Sequence, residues 1–287
     1  MSNTQQISRD EATEGFVFAT TGESYTILAR RAARTMRQVM PNCLIDLFTD
    51  QKIEDDVFDQ IHRLDHSWYR PKMQALRESR FDRSVVLDAD ILVLADISEI
   101  FRVLDQCDLA GVQGVARNPG MLTSTHDVPF CVPPINSGVL AIKASDKMRS
   151  FSHEWEKRFR ESGLTIDQPA LRELIYLDKD IRFMALGAEY NVIKLKSLKT
   201  WDPLNGSPKV LHVRKLHKNE PGDPLEPFSL SEVLDPPMVK KIQNLKRKDW
   251  TLWGCEPTEV RSLKAKKRGA RKKAKKAAAR KKAKKSS

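Results

Sequence analysis

Residues 84–94 constrain the fold more than any other part of the chain. They read Ser-Val-Val-Leu-Asp-Ala-Asp-Ile-Leu-Val-Leu, so two carboxylates interrupt what would otherwise be one apolar run. The pattern predicts a buried strand that ends on Asp88 and Asp90. Two hard oxygen ligands at the carboxyl end of a strand can hold a divalent cation against the phosphates of a ligand. Because chance alone supplies about one Asp-x-Asp triplet in a chain like this, the surrounding sequence must carry the argument.

Length and composition indicate one α/β domain with an appendage. The chain has 287 residues, of which 40% are hydrophobic, enough for a substantial core. The longest uncharged stretch, residues 128–142, is too short to cross a bilayer and contains three prolines. The first residues show no basic segment leading into an apolar one, so we expect no secretory signal and a cytoplasmic location. The four cysteines form no Cys-x-x-Cys pair, which predicts reduced thiols and no zinc site.

The net charge of +12 is concentrated at one end of the chain. Residues 264–285 contain 14 Lys and Arg and no acid, which leaves 36 basic and 38 acidic residues in residues 1–263, a net charge of −2. A nucleic-acid surface over the whole body is therefore not expected, and any polyanion partner belongs to the tail. The Ala/Lys/Arg composition of the tail favours a helix, but self-repulsion predicts disorder until an anionic partner neutralises it.

Strand and helix patterns alternate along the chain. Residues 15–20 and 44–48 read as buried strands around an amphipathic helix at 24–40, which predicts a β-α-β unit with a right-handed crossover. Later strands are expected at 109–113, 135–144 (interrupted at 136–138), 181–190 and 209–213, and helices at 71–81, 97–104, 145–161, 164–176 and 238–250. The loop at 114–134 has the length and composition of a binding loop or lid, and five prolines mark 219–237 as an irregular connector.

Three polar motifs precede or follow the early strands. Small residues at 20–22 stand between a strand and a helix N-terminus, where a backbone can approach a nucleotide closely; an ordinary turn with a packed Tyr25 is the alternative. Asp50, after the second strand, could accept a hydrogen bond from a nucleotide or cap a helix. Lys72 lies sixteen positions before Asp88, where a cation could neutralise a diphosphate; a solvated surface lysine is the alternative.

Three more motifs follow the Asp pair. Asn136-Ser137-Gly138 offers an amide for sugar hydroxyls and a glycine that lets a ligand approach the backbone. Asp167-Gln168 stands at an expected helix start, where Asp167 is also a good N-cap. His212 ends the late strand. A lone histidine is usually structural, but together with two carboxylates it gives an O,O,N ligand set that suits Mn²⁺, with Mg²⁺ as an alternative.

In their order, these motifs resemble the retaining glycosyltransferases of family 8, which include glycogenin and bacterial lipopolysaccharide glucosyl- and galactosyltransferases. The resemblance covers roughly residues 16–218. It implies a nucleotide-diphospho-sugar transferase fold of the GT-A type, an α/β fold with a Rossmann-like, mostly parallel sheet and flanking helices. We accordingly expect a disordered N-terminus at 1–14, a GT-A domain at 15–218, a connector with a C-terminal helix at 219–263 and the basic tail at 264–287.

The resemblance also implies roles for single residues. The metal is expected on Asp88, Asp90 and His212, and the catalytic orientation of the sugar on Asp167 and Gln168. The residues expected to bind the nucleotide-sugar are Thr20, Thr21, Gly22, Tyr25, Asp50, Lys72, Asp88, Ala89, Asp90, Asn136, Ser137, Gly138 and Lys218. The chain departs from the family pattern at Lys215, where the family has glycine, and after Lys218, where Asn219-Glu220 replaces Pro-Trp. If the strand continued past His212, alternation would put His217 on the opposite face from His212.

The activity implied by the resemblance is metal-dependent transfer of a hexose from a UDP-sugar to an acceptor hydroxyl, with retention of configuration. The acceptor would be a glycan, a lipid-linked glycan or a protein. No residue identifies itself as a covalent nucleophile, which fits a front-face route through an oxocarbenium-like state. The tail is expected to attach reversibly to anionic membranes, with nucleic-acid binding or a solubility role as alternatives.

Two other functions compete with this interpretation. A phosphatase of the haloacid-dehalogenase type needs Asp-x-Asp-x-Thr near the N-terminal strand, and Leu92 stands where that threonine belongs. The second alternative is a catalytically inactive adaptor that binds polyanions through its basic tail. An inactive scaffold has no reason to keep Lys72, both aspartates, Asn136 and His212 together.

Overall fold

A mostly parallel seven-stranded sheet forms the centre of the fold in the computed structural model, which describes residues 13–64, 68, 70–254, 256–262, 265–266 and 268–270. The strand order is β3-β2-β1-β4-β7-β6-β8, and β7 is antiparallel to both of its neighbours. β5 and β9 form a separate antiparallel pair. In chain order the described strands are β1 (Glu14–Thr20), β2 (Ile45–Thr49), β3 (Gln60–Arg63), β4 (Arg83–Leu87), β5 (Ile91–Val93), β6 (Leu109–Gln113), β7 (Ile135–Lys143), β8 (Phe183–Leu186) and β9 (Val210–His212).

Helices cover both faces of the sheet, as predicted. Successive residues of β1 point to opposite faces, so Phe16 and Phe18 enter a core with α1, whereas Val17 enters a second core with Trp155 of α5. The second core also contains residues of α2 and α6. The described α-helices are α1 (Glu23–Val39), α2 (Lys72–Glu78), α3 (Ile100–Val103), α4 (Pro119–Leu122), α5 (Asp146–Glu161), α6 (Gln168–Leu177), α7 (Leu230–Val233) and α8 (Pro236–Lys248).

Three elements differ from the expectations. The helix expected to reach residue 81 ends at Glu78, because the chain must turn before β4. The interruption expected at 136–138 is a bulge rather than a break: β7 is continuous, but Gly111 pairs with Leu140 and Val112 with Asn136, so residues 137–139 of β7 have no partner in β6. The connector is not wholly irregular, because a capping box between Ser229 and Glu232 starts α7.

Several expectations fall wholly or largely outside the described residues. These are the disordered N-terminus, apart from residues 13 and 14, and most of the basic tail. The three cysteines that the structure describes are free thiols. Across the same part of the chain, no helix combines the length and the apolar character that a bilayer crossing requires.

The topology brings the polar motifs to one edge of the sheet. β1, β2 and β4 are parallel and therefore end at the same edge, and the antiparallel β7 begins there. β1 and β4 are neighbours, although α1, β2, β3 and α2 separate them in sequence, so the strand order reverses here, and open α/β sheets leave a crevice for ligands at such a point. The residues that follow β1 and β4 and those that begin β7 therefore meet in one place.

Candidate active site

A cavity of about 560 Å³ lies at this edge of the sheet. Its size falls within the roughly 300–1,000 Å³ typical of ligand pockets. The sequence-predicted residues that line it are Thr20, Thr21, Tyr25, Lys72, Asp88, Ala89, Asp90, Asn136, Ser137, Asp167, Gln168 and His212. Four further predicted residues, Gly22, Asp50, Gly138 and Lys218, are not part of its wall. The fold thus brings motifs from six separate segments of the chain to one pocket.

Asp88, Asp90 and His212 form a tight cluster in the cavity. The two aspartates lie in the turn between β4 and β5, and the pairing of β5 with β9 places Ile91 opposite His212. His212 Nε2 lies 3.2 Å from Asp90 Oδ1 and 3.7 Å from Asp88 Oδ2. One potential ligand atom from each of the three residues lies within 4.8 Å of the others. This spacing allows all three to bind a single ion.

Burial disfavours the charged forms of the side chains in this cluster. Asp90 is 1% exposed, and burial alone would raise the pKa of its carboxyl group, but the charges and hydrogen bonds of His212 and His217 together outweigh burial and lower the pKa. Burial likewise opposes charging of His212, yet Asp90 and Asp88 raise the pKa of its imidazole. The carboxylates therefore require a positive charge beside them. A proton on His212 provides one, and a metal ion would provide a larger one.

The donor atoms fit a divalent cation. Asp90 Oδ2 is buried and makes no hydrogen bond of good geometry within the described structure, although His217 Nε2 lies 2.9 Å away. A buried carboxylate oxygen without a hydrogen bond normally has an unseen partner. Two carboxylates and one imidazole are the kind of set that binds Mn²⁺, and hard oxygen ligands also suit Mg²⁺.

Lys72 is a buried cation of the site. It is the first residue of α2 and is 5% exposed, which rules out the alternative of a solvated surface lysine. Its Nζ donates to Asp88 Oδ1 at 2.6 Å, to the Ser137 carbonyl at 2.8 Å and to Ser137 Oγ at 3.1 Å. Charge-assisted hydrogen bonds of this kind fix the ammonium group beside the Asp88 carboxylate.

Asp167 and Gln168 present side chains to the cavity at the start of α6. Asp167 occupies the N-cap position, but its carboxylate makes no capping hydrogen bond. It accepts a hydrogen bond from Ser137 Oγ at 3.1 Å instead. Gln168 Oε1 is buried and has no hydrogen-bond partner among the described residues. Both side chains retain unused hydrogen-bonding capacity beside the space a ligand would fill.

Asp50, which follows β2, stabilises the turn between β1 and α1. Gly22 has a φ of 81°, a left-handed conformation that favours glycine. Its backbone N–H donates to Asp50 Oδ1 at 2.9 Å, so Asp50 fixes the shape of the turn from outside the cavity wall. Tyr25, in the first turn of α1, packs its ring edge-to-face against His217, with 4.9 Å between the ring centres.

The position of His217 differs from the one expected from strand alternation. β9 ends at His212, and Arg214–Lys218 forms a 3₁₀ helix, so strand alternation does not apply and His217 returns to the site beside Asp90. Lys218, at the end of this helix, is exposed and does not line the cavity. Three cations that sequence reasoning missed do line it: Arg70, Lys194 and Arg214. The sequence signals for such cations were limited to the closeness of Arg70 to Lys72 and of Arg214 to His212.

Comparisons with known proteins support the fold assignment. The sequence matches no protein-family model and has no significant match among curated proteins. In structure, the chain is similar to the glycosyltransferase GlyE of Streptococcus pneumoniae in its apo form, with a TM-score of 0.54 and 18% identity over 83% of this chain. It is also similar to an active-site mutant of LgtC, with a TM-score of 0.51 and 13% identity over 86% of this chain.

These likenesses show the fold. The chain spans 64% of the apo GlyE chain and 99% of the LgtC chain. LgtC is a galactosyltransferase. The nucleotide-diphospho-sugar transferase fold of the GT-A type is therefore the architecture of this protein, with the cluster of Asp88, Asp90 and His212 at the edge where such folds bind their ligands.

Proposed function

We propose that this protein is a metal-dependent glycosyltransferase that moves a hexose from a UDP-sugar to an acceptor hydroxyl with retention of configuration. The observation that carries the proposal is the buried cluster of Asp88, Asp90 and His212 in a cavity of about 560 Å³. The motif order and the GT-A fold support it. An inactive polyanion-binding adaptor would not need a buried, hydrogen-bonded Lys72 beside that cluster.

Different residues have different roles in the proposed reaction. Asp88, Asp90 and His212 would hold Mn²⁺, or Mg²⁺ as the alternative. When bound, such an ion stabilises the negative charge that develops on a leaving diphosphate. Lys72 adds a fixed positive charge, and Arg70, Lys194 and Arg214 add three more to the wall of the cavity. The position of Lys218 outside the cavity wall makes these three the better candidates for diphosphate contacts.

The remaining residues orient the substrates. Thr20, Thr21 and Tyr25 line the part of the cavity next to the β1–α1 turn, where we place the nucleotide. Asp167 and Gln168 face the space that we assign to the hexose, where the unpaired Gln168 Oε1 and the remaining lone pairs of the Asp167 carboxylate can accept hydrogen bonds from sugar hydroxyls. The acceptor is proposed to be a glycan, a lipid-linked glycan or a protein. The cytoplasm remains the proposed location, with the tail as a reversible attachment to anionic membranes.

A panel of UDP-hexoses tests the proposal and identifies the donor. The full-length protein is incubated with each UDP-hexose in Mn²⁺, in Mg²⁺ and in excess chelator, and released UDP and free sugar are quantified. We expect slow hydrolysis of one donor that requires the divalent ion. Hydrolysis at the same rate in chelator, or no turnover of any UDP-hexose with either metal, would contradict it.

A further inference from the structure

The His212 ring has two nitrogens, and only one faces the carboxylate cluster. Nε2 points toward Asp88 and Asp90, whereas Nδ1 lies 3.1 Å from Asn191 Oδ1. Asn191 is buried and follows the 3₁₀ helix Ala188–Tyr190. Its amide also lies 2.7 Å from Asn136 Oδ1, so the three side chains form a chain of hydrogen bonds behind the cluster.

Chemistry fixes the direction of every hydrogen bond in this chain. The Gly138 backbone N–H can only donate, so the Asn136 atom 2.9 Å from it is the carbonyl oxygen. That oxygen must then accept from the Asn191 amide nitrogen. The Asn191 oxygen is thereby left to face His212, where it accepts from Nδ1–H. Nε2 consequently carries the free lone pair of the neutral ring.

Backbone pairing holds Asn191 in place. The next residue, Val192, forms a β-bridge with Leu211, and its carbonyl accepts from the His212 N–H at 3.1 Å. The segment that carries Asn191 is therefore attached to the strand that carries His212. The Asn191 backbone therefore cannot move away from His212 without breaking these contacts, and the hydrogen bond to Asn136 Oδ1 orients the Asn191 side chain.

We propose that Asn191 is a positioning residue that holds His212 in the Nδ1–H tautomer and directs Nε2 to a divalent cation. Asn136 acts behind it by orienting the Asn191 amide. The inference rests on the metal site of the proposed function. Removing a hydrogen-bond partner of a metal-ligating histidine typically weakens metal binding by roughly 10–100-fold.

Metal affinity separates this role from a purely structural one. Mn²⁺ binding is measured calorimetrically on the full-length protein, with and without UDP, for wild type, Asn191→Leu, Asn191→Asp and Asn118→Leu. Asn191→Leu removes the acceptor, and we expect Mn²⁺ to bind at least about 10-fold more weakly. Asn191→Asp keeps an acceptor for Nδ1–H and should lose less. Asn118 lines the cavity and caps α4, so its variant controls for amide removal away from His212.

A spectroscopic readout reports the tautomer itself. In the Co²⁺-loaded protein, proton NMR in water should show a paramagnetically shifted, exchangeable N–H signal from His212. We expect that signal in wild type and in Asn191→Asp, and its loss or exchange broadening in Asn191→Leu. A thermal-unfolding scan of each variant confirms that the protein measured is folded.

The outcomes distinguish the two proposals. If wild type binds no Mn²⁺ even with UDP, the metal-dependent function fails together with this inference. If wild type binds Mn²⁺ and folded Asn191→Leu binds it equally tightly with an unchanged N–H signal, the positioning role is overturned and the metal site stands. Equal losses in Asn191→Leu and Asn118→Leu would also overturn it.

Discussion

Gly138 has a different physical role from the one its motif suggested. The sequence indicated a glycine that lets a ligand approach the backbone, but the cavity wall does not include it. A Cβ atom built on Gly138 would lie 2.4 Å from His212 Cε1 and 2.5 Å from His212 Nδ1. The missing side chain therefore makes room for the imidazole ring. Gly138 therefore affects the site indirectly, by leaving space for the His212 ring.

Gly138→Ala should consequently displace His212. Because real Cβ atoms do not approach other atoms so closely, the ring must shift, and we expect Mn²⁺ to bind about 10-fold more weakly or worse. Gly120→Ala is the matched control, since its Cβ would lie 3.6 Å from the nearest atom outside its own helical turn. Calorimetric titration with Mn²⁺ measures both. Unchanged affinity in a folded Gly138→Ala protein would show that the ring position does not matter.

At the scale of elements, α6 connects the site to the long loop at 114–134. Its first residues face the cavity, and one turn later the buried Arg172 donates hydrogen bonds to carbonyl oxygens of the loop. Glu173 accepts from the Thr125 N–H at 2.8 Å and from its hydroxyl at 2.6 Å. The carbonyls held by Arg172 belong to Leu122, Val128, Pro129 and Val132.

Arg172→Met should release this loop. The substitution removes a donor from four carbonyl oxygens. Pro129 keeps a hydrogen bond from the Val132 N–H, but the other three lose the one donor that the described structure gives them. Each buried group so orphaned costs about 1–3 kcal/mol unless water reaches it. We expect faster proteolysis within residues 122–132, with the central sheet still folded. Arg149→Met is the control, because Arg149 is half-exposed and pairs with a fully exposed Asp146. Equal cleavage rates in the two variants would show that Arg172 does not hold the loop.

Asp108 joins three elements and gives the fold a defined acid sensitivity. It accepts hydrogen bonds from Lys147 of α5 at 2.7 Å and from the Arg182 N–H, just before β8, at 2.9 Å. Burial would raise the pKa of its carboxyl group, but hydrogen bonds from the Arg182 side chain, from Lys147 and from the Arg182 N–H together outweigh burial and lower the pKa from 3.8 to about 2. A depressed pKa contributes stability above pH 3.8 that is lost as the pH falls through 2.

Asp108→Asn should therefore cost more stability at neutral pH than in acid. Because Arg182 is 62% exposed, solvent screens part of the interaction, and we expect a loss of about 1–2 kcal/mol at pH 7. The difference between wild type and variant should narrow between pH 4 and pH 2. Urea unfolding at a series of pH values measures it. A difference that stays constant down to pH 2 would rule out the carboxylate as its source.

For the whole molecule, sequence reasoning succeeded where the chemistry is local. The apolar residues before Asp88 and Asp90 predicted a buried strand that ends on them, and the structure places both directly after β4, with Lys72 beside Asp88. Sequence reasoning did not place Asn191 and His217 in the site. Both lie on or beside 3₁₀ segments without hydrophobic periodicity, so only tertiary packing brings them to His212 and Asp90.

The near-neutral body and the basic tail predict separable functions. Removing residues 264–287 should leave UDP-hexose hydrolysis intact, because the cavity is built from residues between 19 and 217. Binding to anionic vesicles should fall sharply, since each Lys or Arg near such a surface contributes about 1 kcal/mol and residues 264–285 contain 14. Vesicle co-sedimentation across a salt series compares the two proteins. Equal binding by both, or binding indifferent to salt, would refute a purely electrostatic attachment.

The most direct test of the whole account is the Mn²⁺ dependence of UDP-hexose hydrolysis in wild type, Asp90→Asn and Asp96→Asn. Asp90 is a buried ligand candidate, whereas Asp96 is exposed and, among the residues that the structure describes, accepts only a local hydrogen bond from the Ser98 N–H. We predict that Asp90→Asn, folded by thermal unfolding, loses about 100-fold or more of the metal-activated rate, whereas Asp96→Asn retains it. Wild-type rate and Mn²⁺ dependence in folded Asp90→Asn would contradict a metal-dependent nucleotide-sugar site in this cavity.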